Sequence, residues 1–216
     1  RQMCIRDRSQ SGDETAVSLI EVYDNVNNTW EPSPMILPSP QMYCEAEIIG
    51  DKIFVVGEWP RGSSNPPQIS SGMVQIYNIS NNTWFSGSSM LPLNERGNGG
   101  MAESGGYLYY AGGVRNQAGN DQSNRTYRYD PVNDSWDRMA DMHQPRASFE
   151  LVNFHGQLYA IGGYQGTSTW NRQILTYVER YDPATNIWTN LSSLPVGHFG
   201  WGATVVNDEI ILVGGN

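Results

Sequence analysis

A chain of 216 residues with 23 glycines, 7 tryptophans and 12 tyrosines has the composition of a turn-rich β protein packed by large aromatic side chains. A net charge of −9, with Lys52 the sole lysine, argues against a nucleic-acid partner, since phosphate binding needs clustered cations. No run of about 18 apolar residues is present to cross a membrane as a helix.

Residues 1–8, RQMCIRDR, lack the apolar core of a secretory signal and match nothing downstream. They are set apart as an extraneous, disordered segment, and residues 9–216 are taken as one domain. Cys4 and Cys44 read as unpaired thiols, too few for a disulfide framework, which favours a reducing, cytoplasmic location. The alternative is an extracellular protein, because Asn27, Asn78, Asn81, Asn124, Asn133 and Asn190 each open an Asn-x-Ser/Thr sequon. Most of these lie in turns beside a repeated tryptophan, where turn chemistry alone produces Asn and Thr.

From residue 17 the chain is repetitive. SLIEVYDNVNNTWEP, spanning the half unit at about 17–31, predicts two strands joined by a polar turn. Residues 42–86 predict four strands, in MYCEAEIIGDKIFVVGE and MVQIYNISNNTWF. Residues 97–138 repeat the pattern with GGYLYYAGG, RTYRYDP and SWDRM. Residues 146–190 give its clearest form. There, strand a covers about Ser148–Asn153 and strand b, Gln157–Ile161, is apolar enough to be buried on both faces. Strand c covers Ile174–Tyr181 and strand d surrounds Trp188. Residues 198–215 supply strands a and b once more.

Three markers fix the period. Trp30, Trp84, Trp136 and Trp188 are 54, 52 and 52 residues apart. Tyr23, Tyr77, Tyr129 and Tyr181 each stand seven residues before the tryptophan. Gly112-Gly113, Gly162-Gly163 and Gly214-Gly215 close three of the b strands, and Gly57-Glu58 stands at the fourth. A period near 50 with four short strands per unit is the mark of propeller blades.

At LYAIGGY, VERYDPATNIW, YLYYAGGVRN, YRYDPVNDSW, DEIILVGG and EVYDNVNNTW the chain resembles the kelch-repeat family, over essentially all of residues 17–216. The resemblance implies an all-β, kelch-type β-propeller: three complete four-stranded blades and two half blades. It also implies a fragment of a six- or seven-bladed ring, with closure of a four-bladed ring as the alternative. Gln41 and His198 stand where the family pattern of Arg96 and Arg146 would place arginine. MHQPRASFELVNFHGQLYAIGGY looks most like the kelch-like proteins of animals, which carry a BTB domain and recruit substrates to cullin-based ubiquitin ligases.

No catalytic, cofactor or metal site is expected. His143, His155 and His198 occupy different repeat positions without ligand spacing, and no nucleophile motif or G-x-G-x-x-G turn is present. An enzyme on this scaffold, of the galactose-oxidase kind, is disfavoured. The Tyr, Trp and Gly markers read as packing and turn devices. The resemblance places the b–c and d–a loops on one face, and these hold Arg61, Arg115 and Arg172, Trp59, Tyr164 and Trp170, and Arg96 and Arg146. Arginines beside exposed aromatics compose interface hot spots, so these eight residues are the candidate contacts for a protein partner, with Arg96 and Arg146 also eligible as loop-bracing residues.

Overall fold

The computed structural model describes residues 2–5, 17–58, 73–88, 97–115, 121–166 and 171–215, and every element among them is a strand. The N-terminal half unit is β2 (Val17–Asp24) and the start of β3 (Thr29–Ile49). The second unit continues β3 into β4 (Lys52–Glu58), β5 (Met73–Asn78) and β6 (Thr83–Ser86). The third is β7 (Gly100–Ser104), β8 (Tyr107–Ala111), β9 (Thr126–Asp130) and β10 (Ser135–Arg138). In the fourth, β11 (Glu150–Phe154), β12 (Gln157–Ile161), β15 (Val178–Asp182) and β16 (Ile187–Asn190) form an antiparallel sheet in that order. A separate hairpin, β13 (Tyr164–Gly166) and β14 (Arg172–Ile174), lies between its second and third strands. The terminal half is β17 (Trp201–Val206) paired with β18 (Glu209–Gly214).

The core lies between units, which is why strand b is apolar on both faces. Along β4, Phe54 and Val56 pack with Met101, Leu108 and Tyr110 of the third unit, while Ile53 and Val55 pack with Ile20 and Leu37 on the other side. Along β8, Leu108 and Tyr110 face back to the second unit, whereas Tyr109 and Ala111 face forward to Leu151, Leu158, Tyr181 and Trp188. Each alternation spends successive side chains on opposite neighbours.

The tyrosine and tryptophan markers build one repeated corner. The ring centroids of Tyr23–Trp30, Tyr77–Trp84, Tyr129–Trp136 and Tyr181–Trp188 lie 5.2, 5.1, 5.0 and 5.1 Å apart. Each phenol donates to a turn residue five positions on: Asn28 (2.6 Å), Asn82 (2.7 Å), Asp134 (2.6 Å) and Asn186 (2.7 Å). All four acceptors have positive φ, between 49° and 56°, a left-handed conformation that Asn and Asp tolerate better than other side-chain-bearing residues. Burial pushes the Tyr129 and Tyr181 phenols up, so both remain donors.

The corner also latches onto the preceding unit. Asp134 accepts the Ser88 N–H at 2.7 Å while the Trp136 indole donates to the Ser88 carbonyl at 3.0 Å. Asn186 accepts the Ala140 N–H at 2.8 Å while Trp188 donates to the Ala140 carbonyl at 3.1 Å. The latch is not made before the second unit, where the buried Trp84 indole N–H has no acceptor. Trp30 is 59% exposed, whereas Trp188, seated on the third unit, is 4% exposed.

Three features depart from the sequence reading. Residues 1–8, set aside as extraneous and disordered, contain β1 (Gln2–Ile5), which pairs with β2 from Gln2↔Tyr23 to Ile5↔Ile20. The β2 edge offers a row of backbone groups, and a short extended segment satisfies them whatever its side chains. Second, strand d of the half unit and strand a of the second unit are one strand, β3, with bulges in its pairing to both neighbours. Pro32, Pro34, Pro38 and Pro40 hold the residues around them extended. Third, strand c of the fourth unit begins at Val178, because Arg172–Ile174 instead pair with Tyr164–Gly166.

Candidate functional site on the loop face

An antiparallel a–b–c–d sheet puts the a–b and c–d turns at one end and the b–c and d–a connections at the other. The second end is the loop face. The diglycines bring its backbones together. A side chain on Gly112 would start 2.6 Å from the Arg146 carbonyl oxygen, and Gly113 N–H donates to that oxygen at 2.9 Å. Gly162 and Gly163 meet the His198 carbonyl in the same way, at 2.6 and 2.8 Å.

Beneath the face lies a buried ion pair. Arg146 and Glu179 have fully buried side chains, and Arg146 Nη2 donates to Glu179 Oε1 at 2.5 Å. Arg146 Nη1 donates to the carbonyls of Gly162 (3.1 Å) and Tyr177 (3.0 Å). Glu179 accepts the backbone N–H groups of His143 (2.7 Å) and Gln144 (3.1 Å), and the His143 ring at 2.8 Å. The pair therefore staples the d–a connection to strand c. Burial pulls the Arg146 guanidinium down, and the Glu179 charge opposes it. In the second unit Gln75, two residues before Tyr77 as Glu179 is before Tyr181, holds both N–H and C=O of Ser39 at 2.8 Å.

The expected contact residues separate on this geometry. Arg146 is 0% exposed and so is corrected from a contact to a brace. Tyr164 is 3% exposed, packed with Val114, Ala147 and Phe199, and likewise has no face for a partner. Sequence places both in loops, but the partners that bury them are set by register. Arg115 is spent within its own loop, where Nη2 and Nε reach Asp121 Oδ1 at 2.6 and 3.2 Å. Arg172 is exposed and projects from β14, its guanidinium 4.4 Å above the Tyr164 ring and 5.8 Å from that of Phe199. Trp59, Arg61, Arg96 and Trp170 lie outside the described residues.

Sequence reasoning passed over the amides. A cleft of about 390 Å³ opens between the third unit's b–c loop and the β13–β14 hairpin, lined by Gln122, Gln165, Asn171 and Gln173 with Asp121 and Pro145. The signal was present in the alternation of Gln165 and Gln173 with Tyr164 and Arg172, which puts the two glutamines on the opposite hairpin face.

Among the described residues no group of three or more His, Cys, Asp or Glu is placed to hold a metal ion. The histidines have separate surroundings: His143 meets Glu179, His155 meets Asp208 at 2.6 Å, and His198 stacks on Trp201 at 5.1 Å. Cys44 packs against the cluster formed by Ile20, Leu37, Ile53, Val55 and Tyr77. Among the sequons, Asn124 donates its amide to the Met142 carbonyl at 2.9 Å, and Asn27 and Asn133 bond Asp24 and Asp130 within their turns. No helix among the described residues is long and apolar enough to cross a membrane.

The family model described as Kelch motif matches residues 95–143 and 145–195, the third and fourth units. Those two units are kelch repeats. Kelch-like protein 36 of Rattus norvegicus is 36% identical over 118 residues, 54% of this chain and 18% of that protein. Kelch-like protein 15 of Homo sapiens is 26% identical over 219 residues, 94% of this chain and 35% of that protein. Kelch repeat and BTB domain-containing protein 13 of Homo sapiens is 40% identical over 96 residues, 44% of this chain and 20% of that protein. The kelch chain thus spans about a fifth to a third of the length of these relatives. The solved structure titled "Structure of YjhT" superposes with a TM-score of 0.73 at 19% identity, covering 94% of this chain and 68% of that one. The fold is a kelch-type β-propeller architecture.

Proposed function

We propose that this kelch chain is a non-catalytic recognition module whose loop face binds a protein partner. The observation that carries the reading is Arg172. It is exposed on a short hairpin, and the buried Tyr164 ring 4.4 Å below restricts its rotamers before any partner arrives. An arginine held in this way loses little conformational freedom on binding and can fork onto a carboxylate. The relatives support the class, since their names are those of kelch-like and BTB-kelch proteins. By the same likeness the cellular role is substrate recognition for a cullin-type ubiquitin ligase, within the cytoplasm.

The test is affinity capture from a cell lysate with the immobilised chain and its Arg172→Ala variant, read by quantitative mass spectrometry. At least one captured protein is expected to fall about tenfold or more, as for an arginine at an interface centre, with an unchanged melting temperature. Identical capture by both chains would overturn the reading.

A further inference from the structure

The amide-lined cleft has a chemistry distinct from that of Arg172. Asp121 supplies its one charged side chain among the described lining residues, and that carboxylate is already bonded by Arg115. The described lining holds no cation and no aromatic ring. What it offers is neutral hydrogen bonding. Gln165 and Gln173 are directly opposed across the hairpin, and Gln165 Nε2 donates to Gln173 Oε1 at 2.8 Å. That bond fixes both side chains. It leaves an acceptor, Gln165 Oε1, beside a donor, Gln173 Nε2, which together complement the N–H and C=O of one residue in an extended chain, since those two groups point to the same side.

A neighbouring contact shows the same chemistry in use. Gly166 N–H, on β13, donates to the Gln122 side-chain carbonyl at 2.9 Å. A primary amide of the third unit there takes the place of a pairing strand's carbonyl. Amide-to-backbone recognition is already the means by which the two walls of the cleft are joined.

We propose that this cleft holds an extended, uncharged polypeptide segment through its main chain, with Gln165 and Gln173 bonding the N–H and C=O of one of its residues. The proposal rests on the reading of the loop face as a protein-binding surface. It assigns main-chain capture to the glutamines and leaves side-chain selection to Arg172.

The experiment pans a random peptide library on the immobilised 216-residue chain. The dissociation constants of the enriched peptides are then measured by fluorescence anisotropy. Uncharged peptides are expected to emerge, and the double variant Gln165→Ala, Gln173→Ala should weaken them at least tenfold. N-methylation of the contacted peptide amide should cost a similar factor against the native chain and almost nothing further against the double variant. That non-additivity would not arise if the glutamines merely stiffened the hairpin. If alanine opens the hairpin, as a lowered melting temperature would show, threonine at both positions keeps strand propensity while removing the amides. Peptides that bind native and doubly substituted chains equally would overturn the cleft assignment. If those peptides still responded to Arg172→Ala, protein recognition by the loop face would stand. Failure to enrich any uncharged peptide would overturn the cleft assignment outright.

Discussion

Replacing Arg146 by methionine should be among the most damaging single changes in the protein. The substitution keeps apolar bulk beside Phe149 but removes the guanidinium from a site where both partners are fully buried. Glu179 would keep the N–H donors of His143 and Gln144 at 2.7 and 3.1 Å yet lose its counter-charge. The Gly162 and Tyr177 carbonyls would each lose a donor. Removing one member of a buried pair costs about 3–5 kcal/mol, mostly the desolvation of the stranded charge. The second unit shows how to relieve it. There Gln75 bonds the same kind of connection with no charge, so Arg146→Met combined with Glu179→Gln should recover about half of the loss. Urea unfolding at 25 °C, followed by tryptophan fluorescence, gives the comparison from the transition midpoints. A cost below about 1 kcal/mol for Arg146→Met, or a double variant no more stable than the single one, would refute a charge-based staple.

Three further outcomes can be checked on the same preparations. Burial pushes the Glu150 carboxyl up to about 7, so the folded chain holds a proton that the unfolded chain releases above its ordinary value of 4.5. Glu150 therefore destabilises the fold increasingly as pH rises from about 4.5 to 7, at roughly 1.4 kcal/mol per pH unit at most. Glu150→Gln should flatten the dependence of melting temperature on pH over that interval, and an unchanged slope would exclude the assignment. Asn186→Ala removes the acceptor of both the Tyr181 hydroxyl and the Ala140 N–H and leaves alanine at a φ of 56°, which should cost about 2–3 kcal/mol in urea unfolding. Arg115→Ala, a loop clip by its Asp121 bonds, should leave capture by Arg172 intact while loosening hydrogen-exchange protection of the third unit's b–c loop.

The fold was legible because its markers are local. Tyr181, Asn186 and Trp188 lie within eight residues, and their geometry repeats wherever their spacing repeats. The apolar run of β12 was equally readable, since burial on two faces leaves no polar alternation. The site was less legible because its partners are distant. Arg146 meets Glu179 across 33 residues, and no inspection of a loop distinguishes an arginine aimed at solvent from one drawn beneath it. The hairpin under Arg172 was hidden for a different reason. Its strands are three residues each, shorter than a periodicity can report. Composition directed attention to arginine and tryptophan, whereas Gln165 and Gln173 carry neither charge nor ring.

The paired bonds at Ser88 and Ala140 bear on how such a chain can change over time. At those points each c–d turn grips its predecessor through both an amide and a carbonyl, so an added or deleted residue there would misalign two units at once. The interval from tyrosine to tryptophan is seven residues in all four units, latched or not, and each keeps the same ring contact. On the opposite rim the diglycine contacts tie the strand ends, and the b–c connections run on beyond them. Lineages descending from this chain should therefore accumulate insertions and altered chemistry at the b–c connections, and new binding preferences can arise there without disturbing the ratchet that spaces the units.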